Sequence, residues 1–158
     1  MPRKYQPTER FLKADARYGS VLLAKFINCL MYSGKKSVAR REVYAALDIV
    51  KEKMPDQDPV EIFNLAIENV KPQVEVRSKR VGGATYQVPV EVGRKRQQSL
   101  AFSWILEVGR GTRRGRPFQA SLADELMAAS RKEGGAWTKR ENVHKMAEAN
   151  KAFSHYAW

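Results

Sequence analysis

The sequence predicts a mainly α-helical fold, a bundle of about six helices with a protruding two-stranded β-hairpin between the third and fourth. Three observations predict it. Apolar residues recur at the 3.6-residue helical period in six segments, most of them bracketed by capping residues, glycines or prolines. The segment from Val74 to Val92 alternates instead, around the pair Gly82-Gly83. Finally, 158 residues with 43% hydrophobic content suffice for one core and not comfortably for two. Residues 1–158 are therefore expected to form a single domain, led by a basic arm over residues 1–19.

Taken in order, Ser20 is placed to cap a first helix whose Val21, Leu22, Leu23, Phe26, Ile27, Leu30 and Met31 share one stripe, with Gly34 ending it. The turn "GKKS" leads into a second helix carrying Val43, Leu47, Val50 and Met54, stopped by Pro55. Asp58-Pro59-Val60-Glu61 combines an N-cap, a proline at the first helical position and a capping-box acid. It opens a third helix with Val60, Phe63, Ile67 and Val70, closed by Pro72. After the hairpin a fourth helix is expected from Ser99 to Val108, preceded by a cationic turn, Arg94-Lys95-Arg96. A fifth begins at Ser121 with Leu122, Leu126 and Met127. A sixth opens on the capping box Thr138–Glu141 and reaches Ala149.

For the hairpin, side-chain alternation selects the register. A two-residue Gly82-Gly83 turn would set Arg77 opposite Val88 and Lys79 opposite Tyr86, mixing cations and apolar groups on one face. An odd-numbered loop instead pairs Val74 with Val92, Val76 with Val90, Ser78 with Val88 and Arg80 with Tyr86, which favours the longer loop. Pro89 implies an unpaired edge. Two strands alone are marginal in water, so the ribbon is expected to order against a partner. Arg77, Lys79 and Arg80 suit phosphates and Tyr86 suits base stacking, in preference to a merely solvated connector.

Charge points to the partner class. The formal net charge is +12 and the pI is about 10.0. Residues 1–41 hold ten Lys/Arg against two Asp/Glu, 42–75 three against eight, 76–118 ten against two, and 119–158 six against five. Two separated basic blocks favour a polyanion through counterion release, nucleic acid first and an anionic membrane surface second. No bilayer crossing is expected: the longest apolar stretch, Val21 to Met31, is interrupted by Lys25 and Asn28 and falls short of the roughly 20 residues required. The basic start lacks the apolar centre of a secretory signal, and the single cysteine, Cys29, fits a reducing cytoplasmic setting.

Catalytic and cofactor chemistries find little support. "GRGTRRG" resembles a dinucleotide-binding glycine loop only superficially, because its last spacing is one residue too long and it follows a helix rather than a strand. Phosphate contact by Arg110, Arg113, Arg114 and Arg116 is the better use. Cys29 lies in the first helix and is expected to be a packed core thiol rather than a nucleophile. His144 and His155, eleven residues apart, have no partners at metal spacing, and surface or RNA-contacting roles suffice for them. Phe102, Trp104 and Leu106 read as core, whereas Phe153, Tyr156 and Trp158 are divided evenly between packing on the bundle and stacking on RNA. No cofactor, metal or small-molecule substrate is expected, and no enzyme.

"VRSKRVGGATYQVPVEV", "LLAKFINCLMYSGKKSVA", "IENVKPQVEV" and the ending "HKMAEANKAFSHYAW" together resemble the bacterial small-subunit ribosomal protein seven family, over essentially the whole chain. The resemblance implies a structural protein of the small subunit. It would be a primary binder of the 3′ major domain of 16S-type rRNA that nucleates head assembly, near the exit-site tRNA and the mRNA path and beside other small-subunit proteins. It further implies rRNA contact by Arg3 and Lys4 in the arm, Lys35 and Lys36 in the first interhelical turn, Arg77, Lys79 and Arg80 in the hairpin, and Arg94, Lys95 and Arg96 beyond it. The hairpin tip, Gly82 and Gly83 with Tyr86, would lie toward the exit-site tRNA and mRNA. "QPTERFLKADARYGS" and "GRGTRRGRPFQASL" depart from the family pattern. The alternative is a helix-turn-helix-like DNA-binding protein, built on the two helices joined by "YSGKKS".

Overall fold

The structure, a computed structural model, describes residues 12–156. Six α-helices and one hairpin follow in the order α1 (Val21–Leu30), α2 (Lys36–Lys53), α3 (Pro59–Val70), β1 (Val74–Val81), β2 (Ala84–Glu91), α4 (Arg94–Gly111), α5 (Phe118–Ser130) and α6 (Gly134–Ala149), with a closing 3₁₀ turn at Lys151–Tyr156. The expected class holds: mainly helical, with the hairpin between α3 and α4.

Local chemistry sets two of the helix starts. The Ser20 hydroxyl accepts from the Leu23 N–H at 3.2 Å, and the Asp58 carboxylate accepts from the Val60 N–H at 3.1 Å with Pro59 at the first helical position. Other boundaries differ from expectation. α1 ends at Leu30, not Gly34, because Met31 turns to extended backbone. The Arg94-Lys95-Arg96 turn is the first turn of α4, and α5 starts three residues before Ser121. α6 starts four residues before Thr138, whose hydroxyl donates back to the Gly134 carbonyl at 2.8 Å instead of capping. The cap comes from α5: the buried Glu125 carboxylate accepts from the Ala136 N–H at 2.7 Å and the Gly135 N–H at 3.4 Å. A Cβ at Gly135 would lie 2.7 Å from Val108 Cγ1, so glycine is what lets α6 lie this close to α4.

The core forms around α5, which packs against α2, α3, α4 and α6. Its apolar residues, Leu122, Ala123 and Leu126, meet Leu47, Val50, Ile62, Ile67 and Ile105. Phe26 joins α1 to this core edge-on, with its ring centroid 5.3 Å from those of both Phe63 and Phe102. Burial of twelve large side chains below 2% exposure is the main force holding the helices together.

The hairpin register overturns the sequence expectation. Val76 pairs with Pro89, Arg77 with Val88, Lys79 with Tyr86 and Val81 with Ala84, so the loop is the two-residue Gly82-Gly83 turn. Both glycines hold positive φ, 57° and 89°, as the tight hairpin turn that matches strand twist demands. The mixed face is tolerated because its charges have partners. Glu75 accepts from Arg77, and Lys79 Nζ donates to the Tyr156 carbonyl at 2.8 Å. The ribbon also orders against its own chain rather than waiting for a partner. The Tyr86 ring centroid stands 5.3 Å from that of Phe153 and 5.2 Å from that of Tyr156, while Val88 is fully buried. The tip, Gly82 to Thr85, is exposed, as is the Ser78–Gln87 pair on the opposite face from Val88.

Candidate nucleic-acid interface

An open groove of 810 Å³ runs between α1, the start of α2, the start of α4 and the lead-in from Leu12 to Ala16. Its floor is apolar, with Ala24, Ile27 and Phe102, and five cations line it: Lys13, Lys25, Lys36, Arg40 and Lys95. Four come from the first basic block and Lys95 from the second, so packing of α1 on α4 brings the two blocks to one surface. The acid in the lining, Asp15, is engaged by the protein, accepting from the Arg17 and Tyr18 N–H groups and from the Tyr44 hydroxyl at 2.8 Å. A smaller recess of 480 Å³ adjoins the groove at Cys29, Ser99 and Phe102 and leads to Arg110. Arg94, Lys95 and Arg96 stand in the first turn of α4, at the positive end of the helix dipole, where Glu75 supplies counter-charge to Arg96.

The expected residues fall into several settings. Lys36, Lys95 and Arg110 line the groove and its recess, and Lys35 stands exposed in the turn before α2. Arg77 and Arg96 meet on Glu75, Arg77 Nε donating at 2.6 Å and Arg96 Nε at 3.2 Å, which ties the hairpin base to the first turn of α4. Burial alone would raise the Glu75 pKa, but the two guanidinium groups outweigh it and hold the carboxyl below its usual range. Arg94 is exposed at the start of α4, and Arg80 is exposed on the hairpin face opposite Arg77. Arg113 and Arg114 are exposed in the loop before α5. Arg116 donates to Asp124 at 2.7 Å, beside Lys53 on the same carboxylate. Lys53 is at the opposite end of α2 from Lys36, roughly 25 Å away by helical rise, so Arg116 does not join the groove. Arg3 and Lys4 lie outside the described residues, as does Trp158.

Three side-chain expectations change. Cys29 is exposed at the groove rim, because position 29 falls off the buried stripe of Leu23, Phe26, Ile27 and Leu30. Its thiol is no activated nucleophile, since the surrounding walls desolvate it and raise its pKa. Tyr86 is no open stacking face, being covered by Phe153 and Tyr156. Those two rings therefore pack within the protein. His144 accepts at Nε2 from the Gln73 N–H at 3.1 Å, pinning the base of β1 to α6, and no metal-holding cluster is found among the described residues. Sequence reasoning missed Lys13, Lys25 and Arg40. The spacing of Lys36 and Arg40, four apart on one helix face, was the available signal.

The family model described as ribosomal protein S7p/S5e matches residues 2–151. The chain belongs to the ribosomal protein S7p/S5e family. Among the relatives it is similar to, the small ribosomal subunit protein uS7 of Rhodopirellula baltica is 57% identical over 93% of this chain and 94% of its own length. That of Thermotoga neapolitana is 53% identical, and that of Teredinibacter turnerae 55%, each over 99% of both chains. The S7p/S5e family is one of structural ribosomal proteins and not of enzymes. Among the described residues no helix is long and apolar enough to cross a membrane.

Proposed function

We propose that the chain is a structural protein of the small ribosomal subunit that binds the 3′ major domain of its rRNA as a primary binder and nucleates assembly of the subunit head. The single observation that carries this reading is the groove in which cations from both basic blocks converge on a shared floor. It gives phosphates a continuous track, and the relatives' description as small-subunit proteins supports the same partner. Arg94, Arg80 and the exposed arginines of the loop before α5 extend the contact, with the basic arm carrying Arg3 and Lys4. The exposed hairpin tip at Gly82 and Gly83 lies toward the exit-site tRNA and the mRNA path, and other small-subunit proteins complete the surroundings. The protein works in the cytoplasm and needs no cofactor of its own.

The test is binding to a transcript of the 3′ major domain across a salt series. Lys36→Ala and Lys95→Ala should each weaken binding and flatten the log–log slope by about one. Unaltered slopes in both variants would sink the groove as the phosphate track. An excess of duplex DNA should leave the complex intact; displacement would favour the helix-turn-helix alternative.

A further inference from the structure

Tyr32 is two-thirds exposed, 67%, in the tight turn between α1 and α2. Exposure of a large aromatic ring is unremarkable alone, but this ring is held. The Arg110 guanidinium carbon stands 4.4 Å from the ring centroid, and Arg110 also donates to the Leu30 carbonyl at 3.2 Å, the last residue of α1. The turn beneath is equally constrained. Ser33 and Gly34 both hold positive φ, 50° and 72°, and the Lys35 N–H donates to the Tyr32 carbonyl at 2.9 Å. Lys35 and Lys36 follow at once, both exposed.

We infer that Tyr32 is a stacking site for an unpaired nucleobase. Arg110 backs one face of the ring, leaving the other to a base, so that guanidinium, phenol and base form one stack. Lys35 and Lys36 take the phosphates flanking that nucleotide. A ring already fixed in the unbound protein loses little freedom on binding, which is why a surface tyrosine serves here. The ligand is single-stranded RNA, a loop or bulge, because a paired base within a duplex offers no open face. This assignment rests on the rRNA-binding reading above.

Stacking and phosphate contact separate by their salt dependence. With the same 3′ major domain transcript, Tyr32→Ala and Tyr32→Leu should bind about tenfold more weakly at every salt concentration, with the log–log slope unchanged. Tyr32→Phe should bind as the natural protein does. Ultraviolet crosslinking should join an rRNA base to the peptide containing Tyr32. Thermal unfolding of each variant should match the natural protein, since the side chain is outside the core. Natural affinity in Tyr32→Ala, or a loss accompanied by a slope change of about one, would overturn the assignment, the latter by tracing the effect to Arg110. A natural protein that ignores the transcript would instead refute the underlying rRNA reading, and this one with it.

Discussion

Replacing Tyr86 by alanine should loosen the hairpin without unfolding the bundle. The side chain is half-buried and its ring lies 5.3 Å from Phe153 and 5.2 Å from Tyr156. Aromatic pairs contribute about 0.5–1.5 kcal/mol each beyond burial, and a half-buried ring contributes roughly 1 kcal/mol more. Partial exposure keeps the total at about 2 kcal/mol. A two-stranded ribbon has little stability of its own, so this loss falls on its opening equilibrium rather than on global unfolding. At 1.4 kcal/mol per tenfold, amide exchange across residues 78–87 should accelerate roughly 30-fold. Hydrogen exchange read by mass spectrometry provides the assay, with peptides of α2 and α5 as internal standards. Tyr86→Phe should retain most of the protection. Exchange of the hairpin within about threefold of natural, in a variant whose α2 and α5 stay protected, would show that the C-terminal turn does not hold the ribbon.

The other expectations concern buried or partly buried polar groups. Glu125→Ala removes the acceptor that caps α6 and should cost about 2 kcal/mol, lowering Tm by roughly 4–8 °C, with Glu125→Gln milder; a Tm within 1 °C would contradict the cap. Glu75→Gln should cost about 1 kcal/mol by chemical denaturation, because its arginine partners are half exposed and screened. The folded pKa of Glu75 is depressed, so its contribution is present above the unfolded value of about 4.3 and is lost as pH falls through the folded value. The natural protein should therefore lose more stability than Glu75→Gln on acidification below about pH 4.5. A parallel acid profile for the two would remove that assignment. Burial, followed by the neighbouring Arg140, holds His144 below 6.5. The unfolded chain then takes the proton first, and stability falls as pH drops below about 6.5. A histidine titration followed by NMR should give a midpoint under 6.5; one at or above it would mean that burial and Arg140 do not outweigh the opposing Glu141.

Relations between residues three or four apart are written into the chain. Hence the stripes of α1, α2 and α3 and the caps at Ser20 and Asp58 were legible beforehand, as were the hairpin's existence, its position and the two basic blocks. Tertiary structure alone decided what those segments meet. Faces of unmixed polarity argued for an odd-numbered hairpin loop, yet Glu75, Arg96 and Tyr156, supplied partly from 20 to 80 residues away, satisfy the mixed face and let the two glycines make the tight turn. The true start of α6 hangs on Glu125 from another helix. The same holds for the cations: Lys36 and Lys95 share a groove while Arg116 is drawn to Asp124 at the far end of α2. Charge fixes how strongly a chain attracts a polyanion, but only packing decides which charges share a surface, because a salt bridge or a groove joins atoms that sequence separation does not relate.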